Sequence, residues 1–137
     1  MNEKKLIEKA FEAMEYAYVP YSHFRVGACV LTSDGNYLPG ANIENAAYGS
    51  TMCAERNAVF GAYCRGYRKN EIQALAIVCE GKRPAAPCGS CRQVLSELLD
   101  PKTPIYLSNG EITIEKTIAE LLPMSFGEED LKEEQGD

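Results

Sequence analysis

Two short cysteine segments constrain this chain more than any other feature. Cys53-Ala54-Glu55 is followed by Pro87-Cys88-Gly89-Ser90-Cys91, with Cys88 35 residues after Cys53. Cys88 and Cys91 are one helical turn apart, so on a helix both sulfurs face one point near its N-terminus. Cys53 also stands where a helix is expected to begin. Any fold that uses all three thiols on one ion must bring two helix N-termini to the same place. Each such end carries about half a positive charge, which favours thiolates.

The donor set is that of zinc. A catalytic zinc takes three protein ligands and leaves the fourth position for water. Glu55, two residues after Cys53, reaches that water from the first helical turn without ligating the metal. A glutamate there is suited to take the water's proton and pass it on to the reacting molecule. Three thiolates and Zn²⁺ sum to a charge of −1, an excess that Arg56 and Arg92 are placed to offset. Arg56 is the candidate for bonding to the cysteine sulfurs.

A closed structural zinc needs a fourth protein ligand, and the choices are poor. Cys29 and Cys79 sit inside apolar strand runs, where cysteine acts as a small hydrophobe. Cys64 is about 16 Å from Cys53 along one helix at 1.5 Å per residue. His23 lies in a loop before the first strand. A different class of function, a non-catalytic zinc module or a dithiol redox protein, is separated from an enzyme by metal content and thiol state.

The remaining pattern predicts the scaffold. Leu6, Ile7, Ala10, Phe11, Met14 and Ala17 recur at helical spacing, marking a helix over about residues 3–18 that Pro20 stops. Val26–Leu31 reads as a buried strand, Ser33-Asp34-Gly35-Asn36 as a turn, and residues 37–43 as the returning strand. Ser50 or Thr51 is expected to cap a helix over 53–65. A strand at 74–79, a loop at 81–87, a helix from Cys88 to Leu99, strands at 105–107 and 112–114 and a short helix at 118–122 follow. The order α-β-β-α-β-α-β-β-α predicts a three-layer α/β/α sandwich on a five-stranded mixed sheet. Asn109-Gly110 leaves no room for a helical crossover, so the last two strands are expected to be antiparallel. At 137 residues this is one domain, residues 1–127, with an acidic tail at 128–137 expected to fray.

The net charge of −6 disfavours a nucleic-acid partner, which needs a cationic footprint. No apolar run approaches 18 residues, and the N-terminus lacks the apolar centre of a signal peptide. No membrane partner and a cytoplasmic location are therefore expected, and Cys-x-x-Cys there points to metal binding or redox activity rather than to a structural disulfide.

Tyr18-Val-Pro-Tyr-Ser-His-Phe-Arg-Val-Gly-Ala28, Asn42-Ile-Glu-Asn45, Cys53-Ala-Glu-Arg56, Pro87-Cys-Gly-Ser-Cys-Arg-Gln93 and Glu120-Leu-Leu-Pro123 together resemble the small homotetrameric cytidine deaminases, in the all-cysteine version of the zinc deaminase signature. The resemblance covers nearly the whole chain. It implies hydrolytic deamination of cytidine and 2′-deoxycytidine, a step of pyrimidine salvage, with one Zn²⁺ per chain held by Cys53, Cys88 and Cys91 and with Glu55 catalytic. It further implies that Phe24 stacks on the pyrimidine. Asn42 and Glu44 bond the ribose 3′-hydroxyl, Ile43 lines the site and the backbone of Ala54 reads the base edge. Tyr48 and Phe126 are implied to complete a neighbouring subunit's pocket in a homotetramer. Polynucleotide-acting relatives resemble a form with a helix between the last strands, for which this chain has no room. The nearest rival of the same fold acts on another cytosine nucleoside such as blasticidin S.

Overall fold

The computed structural model describes residues 2–135, with side chains in the closing helix described as far as Leu131. Its elements are α1 (Glu3–Met14), β1 (Val26–Thr32), β2 (Tyr37–Ala41), α2 (Ala54–Cys64), β3 (Ile72–Cys79), α3 (Gly89–Leu98), β4 (Pro104–Ser108), β5 (Thr113–Thr117), α4 (Ile118–Leu121) and α5 (Glu128–Gln135). The five strands form one mixed sheet in the order β2-β1-β3-β4-β5. Only β3 and β4 pair in parallel; β4 and β5 are antiparallel, as the short Asn-Gly connection requires.

Side-chain alternation divides the strands between two cores. Cys29 and Leu31 of β1, with Ala74, Ala76 and Val78 of β3, face Leu6, Ala10 and Met14 of α1. Ala28 and Val30, with Leu75 and Ile77, face Ala58, Val59 and Ala62 of α2 and Leu95 of α3. Helix α1 thus covers one face alone, while α2 and α3 share the other. Both α2 and α3 are fully seated on apolar residues, each worth about 1.5–3 kcal/mol when buried.

Several boundaries differ from the sequence expectation, each for a tertiary reason. Helix α1 ends at Met14, short of residue 18, because Tyr18 leaves for strand-like pairing: its N–H reaches Asn42 O at 2.9 Å and its carbonyl accepts from Glu44 N at 2.8 Å. Pro20 also biases the residue before it away from helix. Strand β2 ends at Ala41 rather than at residue 43, because Ile43 pairs instead with Met52 through bonds of 3.0 and 2.9 Å. Strand β5 starts at Thr113, because Asn109 Oδ1 accepts from both Glu111 N and Ile112 N and draws those residues into the turn. Gly110 sits there at φ +95°, open to glycine at little cost. The segment after Gly127, expected to fray, is helical over Glu128–Gln135. Three acids in its first turn favour the positive helix end, and Asp130 accepts from Gly127 N at 2.8 Å. No helix among the described residues is long and apolar enough to cross a membrane.

The topology sets where a site forms. Strand β2 runs antiparallel to β1, and β1 antiparallel to β3, so β2 and β3 run the same way. Helices α2 and α3 follow these two strands, so both begin near one end of the sheet. That crevice, outside the carboxyl ends of like-directed strands, is where α/β proteins place their chemistry.

Candidate metal centre and nucleoside site

Cys53 is the N-cap residue of α2 and Cys88 that of α3, and neither makes a side-chain cap bond. The caps expected from Ser50 or Thr51 are absent because the helix starts later, at Ala54. With a thiol at each cap, the first-turn N–H groups of both helices lend their positive end to sulfur.

Helix α2 reaches this position because of Gly40. A Cβ there would lie 2.4 Å from Ala54 O and 2.5 Å from Ala58 N. Only glycine lets the first turn of α2 lie directly on β2. Asn57 of the same turn then donates to Ala41 O at 2.8 Å and fastens it.

The three sulfurs of Cys53, Cys88 and Cys91 lie within 4.8 Å of one another. Cys53 Sγ and Cys88 Sγ are 3.9 Å apart, and Cys88 Sγ and Cys91 Sγ 3.4 Å. Tetrahedral zinc with Zn–S near 2.3 Å spaces its sulfurs by about 3.8 Å, so this donor set fits the ion. Cys91 is fully buried, whereas Cys88 is exposed, so the group is reached from one side. Without a cation the thiols share charge unequally. Hydrogen bonding from Cys91, then from Arg56, draws the Cys53 thiol down to about 5. The same bond to Cys53, with burial, pushes Cys91 up. Three crowded thiols cannot all ionise alone, and a divalent cation removes that obstacle.

Glu55 is 5% exposed and lies outside the ligand group. Burial pushes its carboxyl up, with the neighbouring Cys53 charge adding to the effect. Ala54 is buried beside it in the same turn. Arg56 Nη2 donates to Cys53 Sγ at 3.5 Å, while its Nε is buried without a partner among the described residues. Arg92, expected to offset the cluster's negative charge, is otherwise engaged. Its guanidinium bonds Pro87 O at 2.8 Å and Leu121 O at 2.7 Å, clamping the loop before α3 to α4.

A second group lies on the loops that leave α1 and β2. The Phe24 ring is 44% exposed and borders a cleft of about 730 Å³ formed with residues 81–86. Asn42 Nδ2 donates to Phe24 O at 2.9 Å, and Asn42 Oδ1 accepts from Val26 N at 3.0 Å. Glu44 Oε1 accepts from the N–H groups of Tyr21 and Ser22 at 3.0 and 3.1 Å. Its carboxyl is held below the usual range, chiefly by the Ser22 hydroxyl. The structure thus spends Asn42 and Glu44 on the Phe24 loop, a use that the i, i+2 spacing alone did not reveal. Ile43 lies between them, bridged to Met52 and 43% exposed.

Tyr48 is 77% exposed and meets Tyr21 edge-on at 6.3 Å. The Phe126 ring is also exposed, and its carbonyl accepts from Gln93 Nε2 at 2.9 Å. Sequence reasoning missed Ser22, Gly40, Asn57 and Arg25. Arg25 ion-pairs with Glu80 and, at 3.3 Å, with Glu15, tying the ends of α1 and β3 around Phe24. Those four act through backbone or long-range contacts. Only the serine after Pro20-Tyr21 carried a local turn signal.

The model of the cytidine and deoxycytidylate deaminase zinc-binding region matches residues 1–107. A cytidine deaminase of Halalkalibacterium halodurans is 50% identical over 134 residues, covering 97% of this chain and 100% of the relative. One from Mycobacterium tuberculosis is 40% identical over 130 residues, covering 91% and 90%. The crystal structure of cytidine deaminase from Burkholderia pseudomallei superposes with a TM-score of 0.89 at 46% identity, covering 92% of this chain and 100% of the other. With matches this complete, on a fold that joins three cysteines and a buried glutamate, the chain belongs to the zinc-dependent cytidine and deoxycytidylate deaminase family.

Proposed function

We propose that this chain hydrolyses cytidine and 2′-deoxycytidine to uridine and 2′-deoxyuridine, releasing ammonia. The observation that carries the reading is the buried Glu55 carboxylate in the first turn of α2, beside three thiols spaced for one ion. Cys53, Cys88 and Cys91 hold the zinc. When bound, zinc supplies a Lewis acid that makes water nucleophilic near neutral pH.

The chain's own residues do the rest. Glu55 accepts a proton from the attacking water and delivers it to the ring nitrogen next to C4. It then carries the water's second proton to the leaving amine. One proton therefore ends on the ring and the other leaves in ammonia. Phe24 offers its ring to the pyrimidine face, the Ala54 backbone meets the base edge, and Ile43 lines the site. Asn42 and Glu44 take the 3′-hydroxyl. Arg56 holds Cys53 in place and balances the thiolate charge.

The exposed rings of Tyr48 and Phe126 support a homotetramer in which each serves a neighbour's pocket. Sedimentation at low concentration tests that part: a monomer with full activity contradicts it. Ligand thiols that must stay reduced support a cytoplasmic place in pyrimidine salvage.

The test of substrate is ammonia release from cytidine, deoxycytidine, blasticidin S, cytosine and cytidine monophosphate at equal concentration. Rapid turnover of the two plain nucleosides alone is expected. Preference for blasticidin S, or for the free base, contradicts the reading.

A further inference from the structure

Glu44 does not stand alone. Its Oε1 is held by two backbone N–H groups, and its Oε2 accepts from the Ser22 hydroxyl. Ser22 Oγ in turn accepts from Phe24 N–H at 3.0 Å. That second bond decides where the hydroxyl proton points. A hydroxyl has one proton and two lone pairs; with Phe24 N–H on a lone pair, the proton is left for the carboxylate. His23, between Ser22 and Phe24, adopts φ +58°, which a side chain disfavours but which folds Phe24 N–H back onto the serine.

A carboxylate has about four acceptor positions. Three are taken among the described residues, and the one that remains is on Oε2, the oxygen that Ser22 orients. We propose that Ser22 is a positioning residue for sugar recognition: it fixes the Glu44 carboxylate so that its last acceptor position meets the substrate's 3′-hydroxyl. The same serine holds the Phe24 peptide, so the sugar-binding carboxylate and the base-stacking ring share one anchor. The depressed Glu44 carboxyl agrees with this, since its largest cause is the Ser22 hydroxyl.

The inference rests on the reading that Glu44 meets the 3′-hydroxyl, and the test separates the two. The quantity is the ratio of kcat/KM for cytidine to that for 3′-deoxycytidine, measured for the parent enzyme, Ser22→Ala, Ser22→Thr and Glu44→Gln. Loss of one hydrogen bond to a charged group predicts that Ser22→Ala lowers the ratio about tenfold, mainly through KM for cytidine. Ser22→Thr keeps the hydroxyl and stays within about threefold of the parent. A structural defect unrelated to the sugar slows both substrates alike, so an unchanged ratio in Ser22→Ala overturns the inference. If that variant does not fold, Ser22→Cys, with its weak donor, reads the same ratio. A parent ratio that survives Glu44→Gln overturns the underlying reading, whatever Ser22 does.

Discussion

Gly40→Ala tests the link between packing and chemistry, because a single methyl group is aimed at the turn that carries Cys53 and Glu55. The added Cβ falls 2.4 Å from Ala54 O, 2.5 Å from Ala58 N and 2.9 Å from Ala58 Cβ, where ordinary contact begins at 3.4 Å. Helix α2 must therefore retreat by about 1 Å, and the atoms in the way are backbone, which cannot swing aside. Overpacking of this kind costs about 3 kcal/mol, the upper end of its usual range, and lowers the melting temperature by roughly 10 °C in a domain of this size. The retreat also carries Cys53 away from Cys88 and Glu55 away from the reacting atoms. A misplacement of about 1 Å is worth about 100-fold in rate. Gly61→Ala on the same helix is the control: a Cβ there meets nothing within 4 Å, and replacing a helical glycine gains about 0.5–1 kcal/mol. Thermal melting, zinc content and deamination rate are measured on both variants. A Gly40→Ala protein that melts within 2–3 °C of the parent (a difference of about 1 kcal/mol or less) and keeps full activity refutes the seating of α2 on β2.

Other expectations concern charge at the cluster. Arg56→Gln removes the donor to Cys53 Sγ and should weaken zinc binding about 10- to 100-fold, read by competition with a chromogenic chelator. Zinc affinity should fall as pH falls, because Cys91 is pushed up in the metal-free protein and must give its proton to ligate; calorimetry in buffers of differing ionisation heat should show proton release on binding. Glu55→Gln should raise the melting temperature of the metal-free protein at neutral pH. The native carboxyl is raised above its ordinary 4.5, so folding favours its protonated form; the native penalty, and with it the variant's gain, is absent below about 4.5, grows as pH climbs from there to the raised value and is constant above it.

The chemistry of this chain was legible because it is local. Two cysteines one helical turn apart and a glutamate two residues after a third form a short pattern that resembles a known signature, and Asn109-Gly110 carries the antiparallel ending. What was hidden depends on contacts across the chain. Tyr18 abandons its helix for Asn42 and Glu44, which no periodicity reports. Arg92, a cation directly after the thiol ligand Cys91 in sequence, turns instead to the Pro87 and Leu121 carbonyls. Resemblance implies a sugar contact for Asn42 and Glu44, but their hold on the Phe24 loop appears only when residues 21–26 fold against them. Propensity also misplaced the caps: Ser50 and Thr51 are better cap formers than cysteine, yet the helix begins at the residue that ligation needs.

The central claim is that Glu55 moves protons for a metal held by other residues. Its most direct test is Glu55→Ala, purified with zinc and assayed for uridine formation from cytidine. The account predicts one zinc per chain and a loss of activity of about 10²–10⁴-fold or more. A zinc-loaded variant that turns over at the parent rate contradicts it.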